Sequence, residues 1–195
     1  MRSTGDWDFS DTNWQLDTAQ YISAPTSWRK KDSPNGTTRG LIKTSVVPIA
    51  SVKEGRIITY IKQTYIQGRT LWIFYFRYQD SSNYYFVKIE PTGGYLYCSI
   101  GKRVAGVDTT LQIAATSQPD SSWRRIRVTW WNDYVGLVIR FEWWNGSAWV
   151  NLLSDAYDSN NLWSTIGGRI GFLSQTLGAG MHSGWIDDTE IYGIA

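Results

Sequence analysis

Residues 71–90, LWIFYFRYQDSSNYYFVKIE, constrain this chain more than any other stretch. They read as two strands joined by the polar connector Gln79-Asp80-Ser81-Ser82-Asn83. Side chains of a strand alternate between its faces. In the first strand Trp72, Phe74, Phe76 and Tyr78 therefore share one face, and Leu71, Ile73, Tyr75 and Arg77 the other. In the second strand Tyr85, Val87 and Ile89 form an apolar row, opposite an amphipathic row of Tyr84, Phe86, Lys88 and Glu90. Two long strands, each with one face suited to a core, predict a two-layer antiparallel β-sandwich built around them.

The rest of the chain agrees with an all-β fold. Residues 56–62 are rich in β-branched side chains, and Pro91-Thr92-Gly93-Gly94 connects the organising pair to a further strand at 95–100. Residues 101–122 read as looser, with one short strand at 110–114. In 123–131, Ile126, Val128 and Trp130 alternate with Arg125, Arg127, Thr129 and Trp131. Asn132-Asp133 then turns the chain into 134–144, where Val135, Leu137, Ile139, Phe141 and Trp143 are in phase, opposite Val138, Arg140, Glu142 and Trp144. Asn145-Gly146 is a hairpin signal, residues 154–165 read as a polar loop, and 169–173 as a short strand. Near the start, Trp7, Phe9, Trp14, Tyr21 and Trp28 are expected to close one end of the core. No segment carries a 3.6-residue amphipathic period. A length of 195 residues suits one domain over 1–195, able to bury roughly 70% of its unfolded surface.

Composition bounds the function. Nineteen basic residues against 17 acidic ones give no global case for nucleic acid or an anionic membrane. No stretch approaches the ~20 apolar residues that span a bilayer. Cys98 is the single cysteine and alternates with Leu96 and Ile100, so it reads as a buried, inert thiol. The first residues carry no apolar leader. The chain is then either kept inside the cell, released by lysis or within a larger particle, or cut from a longer secreted protein. An extracellular or virion setting is expected over the cytoplasm. Asn35-Gly36-Thr37 and Asn145-Gly146-Ser147 match the glycosylation triplet, but turn geometry explains both Asn-Gly pairs.

The segments FRYQDSSNYYFVKIE, WRRIRVTWW, WWNGSAWVNL, GGRIGF and WIDDTEIY, in this order and spacing, resemble the concanavalin A-like lectin/glucanase jelly roll. The likeness is to its laminin-G-like and thrombospondin-C-terminal-like branch, and it spans roughly residues 55–193. The SAPTSWR segment also resembles the opening of galactose-binding-like jelly rolls, which keeps a second sandwich topology open. The first resemblance implies ligands on a concave sheet or along the rim, calcium at the rim in some members, and a Glu-x-Asp-x-x-Glu strand in the hydrolases. The four glutamates here, Glu54, Glu90, Glu142 and Glu190, do not fit that strand, so the paired carboxylates of a glycosidase are missing from the expected place and no enzyme activity is expected.

Aromatic rings that take the C–H face of a pyranose, beside polar groups that bond its hydroxyls, are the usual basis of sugar binding. The polar strand faces supply Tyr75, Arg77, Tyr84, Lys88, Arg125, Arg127, Trp131, Arg140, Glu142 and Trp144 as one such set. The alternative is that these side chains only cover the outer sheet, with arginine stems lying over rings. Asp187 and Asp188, with Asp80, are candidate calcium ligands, since calcium takes several hard oxygens; equally, these acids can end a strand and bond turn amides. His182 is the sole histidine, which excludes a multi-histidine metal site. The leading expectation is a non-catalytic module binding a glycan or a glycosylated surface. The rival is a structural virion protein whose same face packs on other subunits of a phage or virus particle.

Overall fold

A computed structural model describes residues 7–9, 14–17, 27–30, 37–42, 52–63, 69–92, 95–116, 122–177 and 184–194, with side chains from residue 52 onward except at a few strand ends. The side chains of Trp7, Phe9, Trp14, Tyr21, Trp28 and His182 lie outside them, as does Asn35-Gly36. Among the described residues fifteen strands run in chain order: β1 (Trp7–Phe9), β2 (Trp14–Asp17), β3 (Ser27–Lys30), β4 (Thr37–Ile42), β5 (Glu54–Gln63), β6 (Arg69–Asp80), β7 (Asn83–Thr92), β8 (Tyr95–Val104), β9 (Val107–Thr116), β10 (Arg124–Asp133), β11 (Gly136–Trp144), β12 (Trp149–Asn151), β13 (Ala156–Asp158), β14 (Arg169–Leu177) and β15 (Gly184–Ile194). They form two antiparallel sheets. One has seven strands in the order β1-β4-β14-β6-β7-β8-β9; the other runs β12-β11-β10-β5-β15-β3-β2, with β13 added beside β11. No helix among the described residues is long and apolar enough to cross a membrane.

The organising pair sits where its sequence places it. β6 is the middle strand of the seven-stranded sheet, with β7 beside it. Trp72, Phe74, Phe76, Tyr85, Val87 and Ile89 pack with Leu96, Cys98, Ile100 and Phe172 on the inner face. Ile57, Ile61, Ile126, Val128, Trp130, Leu137, Ile139, Phe141 and Ile186 meet them from the other sheet. Phe76 stacks on Trp130 across the interlayer at 4.7 Å. Gly55, opposite Trp130 in the β5–β10 ladder, leaves room for that indole: a Cβ there would lie 2.7 Å from Trp130 Cζ2. Cys98 is buried as expected, and burial holds its thiol well up, at about 12.

Two expectations fail for identifiable reasons. Residues 101–116 are not loose: β8 and β9 form a long hairpin through the Ala105-Gly106 turn, where both residues have positive φ. β9 reads weakly because it is an outermost strand with few buried positions, so selection for apolar alternation is relaxed. The second failure is Tyr78. Three β6 residues, 77 to 79, stand opposite the single β7 residue 84, because pairing jumps from Phe76↔Tyr85 to Asp80↔Asn83. Against β14 the pairing jumps from Tyr75↔Gly171 to Tyr78↔Arg169, one extra β6 residue, and that single-residue bulge inverts the alternation at 77 and 78. Arg77, at φ 47°, turns into the interlayer, and Tyr78 turns out to join Tyr75, Tyr84, Phe86 and Leu173 on the outer face.

Candidate functional site

The bulge decides the fate of the first predicted binding residue. Arg77 is 0% exposed and is no part of a surface. Its Nε donates to Lys53 O at 2.8 Å, Nη1 to Asn161 Oδ1 at 2.7 Å and Leu162 O at 3.1 Å, and Nη2 to Asn132 Oδ1 at 2.8 Å. Burial lowers its pKa, opposed by the charges of Glu54 and Asp158 and the phenol of Tyr85. Gly168 passes so close to the Arg77 backbone that a Cβ there would overlap it. Beside this clamp, Asp158 accepts from Lys102 Nζ at 2.8 and 2.9 Å and from Tyr85 OH at 2.5 Å. Tyr85 OH in turn accepts from Leu162 N–H. Both devices fasten the 159–168 loop to the sandwich, and in that loop Asn161 and Trp163 also have positive φ.

The remaining nine candidates divide between opposite sides of the molecule. Tyr75, Tyr84 and Lys88 belong to the outer face of the seven-stranded sheet. There Tyr75 and Tyr84 are buried in a cluster of rings, Tyr75 and Tyr84 edge to face at 4.7 Å and Tyr78 stacked on Tyr84 at 5.7 Å. Neither tyrosine offers a free ring. Lys88 pairs with Glu90 at 3.1 Å.

Arg125, Arg127, Trp131, Arg140, Glu142 and Trp144 do share a face, the outer one of the eight-stranded sheet, since their neighbours Ile126, Val128, Trp130, Ile139 and Phe141 fill the core. Arg127 and Glu142 are cross-strand partners and meet in a fork, with both contacts at 2.6 Å. Arg140 forks onto Asp155 at 2.9 and 2.7 Å, and that contact raises its pKa. Its guanidinium lies 5.2 Å from the Trp131 ring centre. Trp144 meets Trp149 edge-on at 5.6 Å, and Arg127 covers Trp149 at 4.3 Å. Arg125 stands between the Trp149 and Tyr60 rings, 5.6 Å from each, with Glu190 at 3.4 Å.

Sequence reading missed Trp149, Tyr60, Arg56, Asp155, Glu190 and Tyr192, which complete this face. The ladder places them: Tyr60 opposite Arg125, Arg56 opposite Thr129 and Tyr192, and Glu190 opposite Ile58. Only the order of strands in the sheet brings β5 and β15 beside β10, and alternation within one strand carries no such information.

The calcium set does not assemble. Asp80 lies in the β6–β7 turn of the seven-stranded sheet, where its carboxylate accepts from Ser82 N–H and from the Asn83 side-chain amide. Those donors hold its carboxyl below the ordinary value. Asp187 and Asp188 sit on a bulge of β15 in the other sheet. Asp187 is fully buried; it accepts from Asp188 N–H, and Thr59 Oγ1 donates to its carbonyl. Among the described residues no group of three or more His, Cys, Asp or Glu is placed to hold a metal ion. The three acids are turn and bulge residues in separate sheets, and they do not fit a shared cation.

By sequence the chain matches no protein-family model and no curated protein. By structure it is similar to a legume lectin-like domain from Entamoeba histolytica, with a TM-score of 0.68 and 10% identity over 98% of this chain and 91% of that one. It is similar to a carbohydrate-binding module, CBM66, from Bacillus subtilis, with a TM-score of 0.60 and 14% identity over 96% of each chain. It also matches a GH43 protein, BlXynB, from Bacillus licheniformis, with a TM-score of 0.57 and 10% identity, there covering 40% of the longer chain. The fold is an all-β antiparallel jelly-roll sandwich like that of these lectin-like and carbohydrate-binding structures, as the concanavalin A-like resemblance implied.

Proposed function

We propose that the chain is a non-catalytic module that binds glycan, free or on a glycosylated surface, through the outer face of its eight-stranded sheet. One observation carries the reading: three half-buried indoles, Trp131, Trp144 and Trp149, share that face with Arg125, Arg127, Arg140 and Glu142, whose side chains are held in place by forks and ring contacts. Rings fixed beside oriented donors suit a pyranose, which has one apolar C–H face and a rim of hydroxyls. Binding without reordering long side chains also costs less entropy. The likeness to lectin-like and carbohydrate-binding modules over nearly the whole chain supports this reading. It also favours a secreted or surface setting, as for modules that meet glycans outside cells.

A hydrolase is disfavoured by the disposition of the glutamates. Glu142 is spent on Arg127, Glu90 on Lys88, and Glu54 accepts from Asn132 N–H. Nothing in these likenesses points to a particle subunit. A glycan array followed by calorimetry is the test. Binding that weakens at least tenfold in Trp131→Ala and Trp144→Ala is expected. No binding to any glycan, or binding unchanged in both variants, removes the proposal.

A further inference from the structure

The rings of this face are mostly covered by cations. Arg140 caps Trp131, Arg127 and Arg125 cap Trp149, Arg125 also caps Tyr60, and Arg56 caps Tyr192 at 5.3 Å. Trp144 alone among these indoles and phenols has no cation over it. Among the described residues the rings left bare for a neutral sugar are Trp144 and Tyr157, which stands opposite Val138 on this face and is 57% exposed. What the face presents besides these is guanidinium N–H donors.

Those donors are not equally committed. Arg127 and Arg140 spend theirs on bidentate carboxylates, Glu142 and Asp155. Arg56 is exposed, and no carboxylate pairs with it among the described residues. Arg125 reaches Glu190 through a single contact at 3.4 Å from Nη2, while its Nε is buried without an acceptor, so its spare donors are those of the two Nη groups. A guanidinium carries five N–H donors in a planar fork, so both arginines hold unused capacity. They flank one carboxylate: Arg56 lies over the Tyr192 ring at 5.3 Å, the Tyr192 hydroxyl donates to Glu190 Oε2 at 2.7 Å, and Arg125 Nη2 reaches Glu190 Oε1 at 3.4 Å. The formal balance of Arg56, Arg125, Arg127, Glu142 and Glu190 is three positive against two negative. Opposite charge at a surface groups ligands by sign, and a fork matches a carboxylate in particular.

Resting on the glycan reading above, we infer that the module selects anionic glycans, with a uronic-acid carboxylate received by Arg125 and Arg56 while Trp144 takes the C–H face of a sugar in the same chain. Glu190 is the internal competitor: it occupies part of Arg125 and repels the incoming carboxylate. Sulfated chains share the charge but not the planar two-oxygen shape.

The experiment is calorimetry of the whole chain with three probes: an oligogalacturonate, the same oligomer fully methyl-esterified, and a sulfated oligosaccharide. The inference expects the acid to bind about tenfold or more tightly than its neutral ester. It expects a loss of similar size in Arg56→Gln and Arg125→Gln, tighter binding in Glu190→Gln, and weakening as salt is raised from 50 to 500 mM, roughly a threefold shorter screening length. Equal affinity for acid and ester overturns the anionic inference and leaves the glycan module standing. Preferential binding of the sulfated probe overturns the carboxylate assignment. Binding of neither these nor any neutral glycan on an array removes the module itself. Circular dichroism of the three variants, all at exposed or partly exposed side chains, separates lost binding from lost folding.

Discussion

Arg77 of one sheet donates from Nη2 to Asn132 Oδ1, at the end of the other, across 2.8 Å. That bond is one of four by which a single guanidinium ties β6 to the start of β5, the end of β10 and the 159–168 loop. All four acceptors lose their donor if the side chain is removed. Arg77→Met should therefore destabilise the fold by about 3 kcal/mol or more, since each buried group left unpaired costs ~1–3 kcal/mol. Arg77→Lys should recover little, because an ammonium cannot span the same directions. Denaturant midpoints of the two variants check both statements.

The buried Lys102–Asp158–Tyr85 cluster predicts an acid limb in stability. Burial works against the Asp158 charge, but hydrogen bonds from Lys102 and Tyr85 and the Lys102 charge outweigh it and hold the carboxyl below its ordinary value of 3.8. The unfolded chain thus takes up that proton more readily than the native one. The contribution is complete above pH 3.8 and is lost as pH falls through the lower native value. Melting temperature measured from pH 6 down to pH 2 should fall steeply at the acid end, and Asp158→Asn should start lower and fall less.

Chelation should leave the melting temperature unchanged. Asp80 and the Asp187-Asp188 pair are held by their own turn and bulge, on separate sheets. A ligand bound only to the native state would raise stability, so a drop of several degrees on adding EDTA would show a cation held elsewhere.

Trp149→Ala should reduce glycan binding as much as Trp144→Ala. Trp149 supports Trp144 edge-on and is the ring on which Arg127 and Arg125 rest, so its loss removes that seat and loosens Arg125, which is held otherwise only by Glu190 and the Tyr60 ring, while Arg127 stays forked on Glu142. Titration calorimetry of both variants checks this, with Tyr97→Ala, an exposed ring on the outer face of the seven-stranded sheet, as a control expected to bind normally.

Much of the fold was legible because residues 72–76, 85–89, 126–130 and 137–141 alternate without interruption, and each such run became a core strand. What was hidden depends on register. Nothing in RYQD announces that Arg77 adopts φ 47°, a conformation glycine would have signalled, so the parity of Arg77 and Tyr78 was read inverted. The site was half legible for a related reason. Alternation tells which side chains share a face of one strand, but not which sheet the strand joins. Tyr75 and Tyr84 thus appeared beside Arg125 and Trp144, though the two sheets carry them on opposite sides. Conversely, Trp149, Arg56 and Tyr192 became neighbours only through the order β12-β11-β10-β5-β15.

The central claim is that the outer face of the eight-stranded sheet is the binding surface, and the indole N–H resonances test it most directly. With the 12 tryptophans assigned, addition of a glycan selected by the array should shift Trp131, Trp144 and Trp149 and leave the core indoles Trp72 and Trp130 in place. Saturable shifts confined to those three confirm the surface. Binding that moves none of them, while perturbing side chains of the seven-stranded sheet or the turns at its ends, would contradict it.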